Sequence, residues 1–214
     1  MKVLIIGATG HVGQHTVSAA LGAGHTVTAF GRSIDKIDIY DPALRIVKGD
    51  ATVAADLARV MSGQDVVITT HGAPLNKDTL LHVPSLMEES TRLIIAAMEK
   101  AGVPRLVCMT SLGAGDSVGH GRFLFRNVIE PVVLGRIMED RTAQEEVVRA
   151  SNLPEWVIVR PTELADGEEA PVRVITDLER DEEPGTITRK DVGRELVRLV
   201  KEKGYDKQAI VITN

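Results

Sequence analysis

The sequence is poor in cysteine and in aromatic residues. Its 214 residues include one cysteine, Cys108, so no intrachain disulfide can form, and 3% are Phe, Trp or Tyr. A single thiol is typical of proteins from a reducing compartment, and we expect a cytoplasmic protein. Because aromatic residues are few, the core must consist of Val, Ile, Leu and Ala, which fill parallel strands covered by helices on both faces.

Other absences exclude whole classes of ligand. The net charge is −5, and no basic stripe is present to bind a phosphate backbone, so we expect no nucleic-acid partner. No run approaches the ~18 apolar residues of a membrane span, and the apolar start of the chain is too short for a signal peptide. The six histidines lack paired spacing such as H-E-x-x-H, so we predict no metal site.

Short apolar runs alternate with amphipathic segments along almost the whole chain. The runs of strand length are residues 2–6, 26–30, 44–47, 65–70, 105–110, 156–160 and 209–212. The segments with helical periodicity are residues 12–23, 54–61, 85–101, 136–151 and 191–203. This alternation predicts an α/β fold in which a doubly wound, mostly parallel sheet carries helices on both faces. The length predicts one domain, residues 1–214.

Three stretches fit neither pattern: residues 72–84, 112–131 and 164–187. The first two follow predicted strands, and ligands of open α/β sheets bind outside the carboxyl ends of the strands. We therefore expect these two loops to form the walls of an active cleft. The third stretch is acidic and holds a short strand candidate at residues 172–175. It is equally consistent with a solvated flap and with a cover over the substrate.

A glycine-rich turn directly follows the first apolar run. Its G-x-x-G-x-x-G spacing provides for a sharp turn, a close approach of the backbone to a pyrophosphate, and tight packing of helix on strand. The following helix would direct its free N–H groups and positive dipole end at the phosphates. This context predicts dinucleotide binding, and a purely structural turn is the alternative. The predicted contacts are Gly7, Ala8, Thr9, Gly10, His11 and Val12.

The second predicted strand leads into Phe30-Gly31-Arg32-Ser33. A site that prefers NAD(H) would place Asp or Glu here to accept a hydrogen bond from the ribose 2′-hydroxyl. The guanidinium of Arg32, with Ser33 beside it, instead suits a 2′-phosphate. We therefore expect NADP(H), with NAD(H) less favoured. The alternative is a solvated arginine that stacks on adenine and discriminates little.

Segments in order along the chain carry a family resemblance. They are Leu4–Gly10, Phe30–Ser33, Val47–Ala51, Met109–Ser111, Val157–Pro161 and Ile187–Val192. With them the chain resembles the atypical short-chain dehydrogenase/reductases, and within these the small NmrA-like group that includes biliverdin-IXβ and flavin reductases. The resemblance implies a Rossmann-type NAD(P)-binding fold.

The resemblance also implies where residues at the strand ends would meet the cofactor. In order from adenine through ribose and pyrophosphate to nicotinamide, these are Asp50 and Ala51; Thr70, His71, Gly72 and Ala73; and Ser111, Pro161 and Thr162. Asp191 would have a structural task as the N-cap of the last helix.

The tyrosine and lysine of many relatives are missing. Carbonyl-reducing members of the larger superfamily use a Tyr-x-x-x-Lys pair as general acid. Here Tyr40 and Tyr205 are followed at the fourth position by Leu44 and Ala209, and the expected helix carries Ile137-Met138-Glu139-Asp140-Arg141. Alcohol dehydrogenase chemistry is therefore not expected. A flavin, quinone or linear tetrapyrrole can accept hydride without such an acid, because its heteroatoms exchange protons with water.

The remaining candidates concern the acceptor. Ser111 is the candidate catalytic contact, or else bonds its own turn. Arg122 and Arg126 would hold an acidic acceptor and Phe123 would stack on its ring, unless they form an ordinary helical turn. Arg160 is either a buried structural partner or a substrate-side charge.

The sequence thus predicts an NADPH-dependent reductase of a small conjugated electron acceptor, acting as a monomer or small homo-oligomer. The alternatives are a non-catalytic NADP(H)-binding redox sensor and, less favoured, an isomerase or epimerase.

Overall fold

The computed structural model describes residues 1–72, 85–120, 135–178 and 184–214. The strands are β1 Lys2–Ile6, β2 Thr26–Gly31, β3 Leu44–Lys48, β4 Val66–Thr69, β5 Arg105–Met109, β6 Glu155–Pro161, β7 Glu163–Ala165, β8 Arg173–Ile175, β9 Thr186–Thr188 and β10 Gln208–Thr213. The α-helices are α1 His11–Gly22, α2 Ala54–Met61, α3 Leu86–Ala101, α4 Gly135–Arg149 and α5 Arg189–Arg198. None of these helices is both long and apolar enough to cross a membrane.

Eight strands form one sheet in the order β3-β2-β1-β4-β5-β6-β10-β8. All neighbours are parallel except β8, which runs antiparallel to β10. The strand order reverses between β1 and β4, because the chain proceeds outward from β1 to β2 and β3 and then returns to β4 on the other side. The predicted doubly wound sheet is confirmed, and its switch point lies between β1 and β4, where such sheets bind ligands.

Apolar clusters cover both faces of the sheet. On one face α1 and α5 pack over β1, with Val17 and Leu196 in the core. On the other face α2, α3 and α4 cover the sheet, with Leu57 and Ile94 in the core. The helices α1 and α5 can approach closely because Gly193 has no side chain. A Cβ there would lie 2.8 Å from backbone atoms of α1. Strands buried on both faces explain why their sequences are continuous apolar runs.

The last helix differs from its prediction at both ends. It begins at Arg189, and its N-cap is Thr188, whose Oγ1 accepts a hydrogen bond from the backbone N–H of Asp191 at 3.1 Å. The prediction that Asp191 is the N-cap was wrong. The residue with extended backbone before the first helical turn is Thr188, three residues earlier, and its hydroxyl accepts the hydrogen bond from the Asp191 N–H. The helix ends at Arg198, and just beyond this end the Leu199 carbonyl oxygen accepts a hydrogen bond from the buried guanidinium of Arg105 at 2.9 Å.

The described part of the acidic stretch 164–187 contains short strands rather than a free loop. The candidate at residues 172–175 is confirmed as β8, and β7 pairs in parallel with β9 in a separate two-stranded sheet. The carboxylate of Asp191 accepts hydrogen bonds from the Ala170 N–H and the Asn214 side chain, both at 3.1 Å. These contacts tie the stretch to α5. The other two three-residue strands, β7 and β9, show too little alternation to be predicted.

Candidate functional site

In the glycine turn after β1, backbone atoms approach Gly7 and Gly13 so closely that no side chain would fit at either position. Gly7 has a φ of +89°, and a Cβ there would collide with the backbone nitrogen of His71. A Cβ on Gly13 would collide with the Gly7 carbonyl oxygen and lie 2.8 Å from the Ala8 Cα. Gly10 occupies the N-cap position of α1, and no side chain caps this helix. The free N–H groups of the first helical turn are therefore available to a phosphate.

The ends of β2 and β3 bring a cation and a carboxylate to one side of this turn. Arg32 is exposed and forms no ion pair with any residue that the structure describes. Asp50 Oδ1 accepts hydrogen bonds from the backbone N–H and the hydroxyl of Thr52, at 2.9 and 2.8 Å. The Thr52 N–H is the largest cause that lowers the pKa of Asp50, and the Arg32 charge adds to it. Asp50 is therefore a fixed, ionised carboxylate beside the cleft.

The segment after β4 crosses directly over the glycine turn. The Thr70 N–H donates to the Ile6 carbonyl oxygen at 2.8 Å, which joins the ends of β1 and β4. His71 Nε2 lies 2.8 Å from Ser90 Oγ, and that hydroxyl lies 3.3 Å from the Met87 carbonyl oxygen. If Ser90 donates to this carbonyl, His71 carries its proton on Nε2. His71 Nδ1 is then a buried acceptor, and it has no partner among the described residues.

His71 is held in its neutral form. Burial lowers its pKa to about 3, and the nearby charges of Arg141 and Arg32 act in the same direction. The ring therefore cannot donate a proton near neutral pH. It can accept a hydrogen bond at Nδ1 from a ligand hydroxyl.

The ends of β5 and β6 place the predicted nicotinamide-side residues close together in the sheet. The Ser111 hydroxyl donates to the Leu112 carbonyl oxygen at 3.1 Å, the turn contact named as the alternative to a catalytic role. Pro161 ends β6, and Thr162 is buried, with its hydroxyl 3.3 Å from that of Thr213. The roles of Ser111, Pro161 and Thr162 toward a cofactor stay predictions.

A buried ion pair beneath this edge was not predicted. Arg160 and Glu145 are almost fully buried, and the guanidinium donates to Glu145 at 2.9 and 2.5 Å. Glu145 also accepts from the Thr110 hydroxyl at 2.8 Å. Of the two interpretations of Arg160, the structure shows the buried structural partner. Sequence patterns carry no signal for this pair, because its members lie on a helix and a strand that meet only in the folded chain.

Several residues considered in the sequence analysis lie away from the cleft, and others lie outside the described residues. Tyr40 is fully exposed, and Tyr205 packs under Arg198 just before β10, at the amino edge of the sheet. Cys108 is buried in β5, and burial raises its pKa to about 11, so it is a core residue. The candidates that lie outside the described residues are Ala73, Arg122, Phe123 and Arg126.

Comparison with known proteins identifies the cofactor class. A family model described as NAD(P)H-binding matches residues 7–203. The chain belongs to this NAD(P)H-binding family. Across its whole length it is similar to ChuY, an anaerobilin reductase from Escherichia coli O157:H7, with 25% identity, a TM-score of 0.81 and 97% of that chain covered. The resemblance stated from the sequence is confirmed at this level.

Other proteins to which the chain is similar carry different names. An uncharacterized sugar epimerase, YhfK of Bacillus subtilis, is 26% identical over all of this chain and 94% of its own length. A 3-beta-hydroxysteroid dehydrogenase of Mycolicibacterium neoaurum is 31% identical over 51% of this chain and 32% of its own length. The chain thus spans about a third of that dehydrogenase. A Veillonella parvula short-chain dehydrogenase/reductase in complex with NADP has the same fold, with a TM-score of 0.81 at 16% identity.

The geometry of the turn fits the cofactor of the family. A Cβ at Gly7 or Gly13 would overlap neighbouring backbone atoms, so the turn requires glycine at both positions. The start of α1, which no side chain caps, faces the carboxyl edge of the sheet. The orphaned Nδ1 of His71 provides an acceptor at the same place. These features accommodate a pyrophosphate and an adjacent hydroxyl.

Two alanine substitutions in α1 test the turn. Gly13→Ala places a Cβ against the Gly7 carbonyl oxygen, so the turn must shift and the dissociation constant of NADPH should rise by about tenfold or more. Gly22→Ala in the same helix meets nothing within 4 Å and should leave this constant unchanged. Fluorescence titration of both folded variants measures the difference. Equal affinities would show that the turn does not hold the cofactor.

The neutral state of His71 predicts a pH dependence of stability. Its pKa of about 3 in the folded protein lies below the ordinary value of 6.5, so the unfolded chain binds the proton first. Stability should fall as the pH decreases from 6.5 toward 3, by up to about 1.4 kcal/mol per pH unit from this group. Urea unfolding at several pH values should show a smaller decrease for His71→Asn than for the wild type. The same decrease in both would contradict the assignment.

Proposed function

We propose that the protein is an NADPH-dependent reductase that transfers hydride to a conjugated acceptor such as a flavin, quinone or linear tetrapyrrole. The observation that carries the proposal is the position of the two tyrosines. Tyr40 is fully exposed and Tyr205 lies at the opposite edge of the sheet, so no phenol stands beside a turn suited to a nicotinamide dinucleotide. An acceptor that needs no protein acid is the substrate such a site can reduce.

The cofactor would lie across the switch point. In the proposed arrangement the turn Gly7, Ala8, Thr9, Gly10, His11 and Val12 binds the pyrophosphate. Asp50 and Ala51 lie against adenine, and Arg32 with Ser33 takes the 2′-phosphate. His71 Nδ1 accepts a hydrogen bond from a ribose hydroxyl, next to Thr70, Gly72 and Ala73. Two observations on the described residues support this orientation: Arg32 forms no ion pair with any of them, and the buried Nδ1 of His71 has no hydrogen-bond partner among them.

The reaction would take place outside β5 and β6. A bound NADPH supplies the hydride, and the chain orients and shields the two reactants. Ser111, Pro161 and Thr162 would flank the nicotinamide, with Ser111 able to turn its hydroxyl from Leu112 toward a ligand. His71, whose pKa is lowered to about 3, is neutral near pH 7 and does not act as a general acid. In the proposed reaction the proton that completes the reduction comes from water. Arg122, Arg126 and Phe123 are proposed to hold the acceptor.

The named similarities favour one acceptor class. Similarity to an anaerobilin reductase over the full length supports a tetrapyrrole-like molecule. Similarity to a protein named as a sugar epimerase raises a second function. An epimerase of this fold would need an acid and base at a saturated carbon, and no tyrosine is in place to supply one.

Charge reversal at the end of β2 tests the preference for NADP(H). Arg32→Asp replaces the 2′-phosphate partner with a repelling carboxylate, so affinity for NADPH should fall by about tenfold or more relative to NADH. Arg45→Asp, at an exposed arginine near the start of β3, is the matched control and should keep the wild-type preference. Titration with both nucleotides gives the ratio. An unchanged ratio in Arg32→Asp would place the 2′-phosphate elsewhere.

Steady-state oxidation of NADPH at 340 nm tests the reductase itself. The acceptors are FMN, riboflavin, a naphthoquinone, a dichlorophenol dye and biliverdin. We expect multiple turnovers with at least one of them. The double variant Tyr40→Phe/Tyr205→Phe removes every phenol from the chain and should retain activity within about twofold, because neither hydroxyl acts in catalysis.

Two outcomes would contradict the proposal. NADPH binding without turnover against any of the five acceptors would indicate a redox sensor. A large loss of activity in the double tyrosine variant would restore a phenol-dependent mechanism of the dehydrogenase or epimerase type.

A further inference from the structure

The helix α4 carries a buried arginine, Arg141, that has no assigned task. It is 8% exposed. Its Nη1 donates to the Gln144 side chain at 2.7 Å and to the Met109 carbonyl oxygen at 3.4 Å, and its Nη2 donates to the His71 carbonyl oxygen at 3.2 Å. All three acceptors are neutral. A buried cation normally requires a carboxylate beside it.

The other buried arginines of the described chain meet this requirement. Arg105 lies 3.0 Å from Glu155 and 2.6 Å from Asp206. Arg160 contacts Glu145 and Asp116. Arg141, by contrast, forms no ion pair with any described residue. Within the described ranges, its positive charge therefore has no directly contacting counter-ion.

The acidic neighbours of Arg141 on its own helix have other partners. Asp140 accepts hydrogen bonds from the backbone N–H groups of Met87 and Glu88 at 2.9 and 3.0 Å, at the start of α3. Glu145 binds Arg160, as described above. Burial lowers the pKa of Arg141, and the charges of Asp140 and Glu145, which form no ion pair with it, act in the opposite direction. Arg141 stays positively charged, because arginine is not deprotonated in proteins.

Arg141 also retains donors for a ligand. A guanidinium has five N–H groups, and the contacts named above use two on Nη1 and one on Nη2. One N–H of Nη2 and the N–H of Nε have no acceptor among the described residues. These two N–H groups belong to the Nε–Nη2 side of the guanidinium, and a carboxylate or phosphate can accept hydrogen bonds from both groups at once.

The position of Arg141 lies on the acceptor side of the cleft. It touches the segment after β4 and the end of β5, two residues before Ser111. The missing side chain of Gly72 leaves room there, since a Cβ would lie 3.1 Å from Nη2. The glycine turn for the pyrophosphate belongs to β1, on the other side of β4. Arg141 contacts the His71 backbone, which crosses this turn, and its other backbone contact is at the end of β5, next to the segment proposed to flank the nicotinamide.

We propose that Arg141 determines acceptor specificity by binding an anionic oxygen, a carboxylate or a phosphate, on the substrate. This inference rests on the proposed reductase function and narrows it to acceptors that carry such a group. The acceptor supplies the counter-ion that no described residue provides. A neutral molecule with the same ring system leaves the buried charge unbalanced and binds more weakly.

Pairs of acceptors that share a ring but differ in charge test the proposal. FMN is compared with riboflavin, and biliverdin with its dimethyl ester, by kcat/KM for NADPH oxidation. The wild type should favour the charged member of a pair that it reduces, and Arg141→Gln should lower that preference by about tenfold. Arg141→Lys should keep part of it. Arg92→Gln, an exposed arginine of α3 paired with Glu88, is the control and should keep all of it.

Several results would overturn the inference. An equal loss with charged and neutral acceptors would mean that Arg141 only positions the strand ends. A weaker NADPH affinity with unchanged acceptor preference would assign it to the cofactor. If Arg141→Gln does not fold, the wild-type preference for the charged acceptor should itself fall as salt is added, and no such preference would refute the inference. Turnover without discrimination refutes this inference alone, whereas no turnover refutes the proposed function as well.

Discussion

The contact on which the site depends is the close approach of two backbones, at Gly7 after β1 and His71 after β4. A Cβ on Gly7 would overlap the His71 nitrogen, so these segments can meet only where glycine stands. The contact sits where the strand order of the sheet reverses. It fixes the turn before α1 and, through Ser90, the orientation of the His71 ring. The cleft is thus formed by backbone geometry before any side chain contributes.

The helix α4 organises the other half of the cleft through a buried polar face. Asp140, Arg141, Gln144 and Glu145 are all buried on it. Asp140 binds the start of α3, Gln144 reaches the Thr91 hydroxyl at 3.1 Å, and Glu145 binds Arg160. Such groups are costly to bury unless each finds a partner. Asp140, Gln144 and Glu145 find such partners, whereas Arg141 meets only neutral acceptors and forms no ion pair within the described part of the chain.

The sequence predicted the fold well because the signals for it are local. Continuous apolar runs, a glycine turn and amphipathic helices located the principal strands and helices, and most ends differ by one or two residues. The glycine turn could be interpreted physically because its spacing alone indicates which positions require glycine. By the same reasoning, the two tyrosines could be excluded from the expected pair from spacing alone.

What the sequence could not predict depends on contacts between distant segments. The ion pair of Glu145 with Arg160 joins a helix to a strand, and no periodicity in the sequence indicates it. The neutral state of His71 arises from burial and from charges on other elements. Asp191 was misassigned because an N-cap depends on backbone conformation, which residue type specifies only in part.

In the proposed reaction, hydride passes directly from NADPH to a conjugated acceptor. A single-turnover stopped-flow experiment with NADPH deuterated at the transferred C4 position tests this most directly. Loss of NADPH absorbance and reduction of the acceptor should occur together, and deuterium should slow both equally. A constant NADPH signal while the acceptor is bound, or acceptor conversion without net NADPH oxidation, would contradict the account.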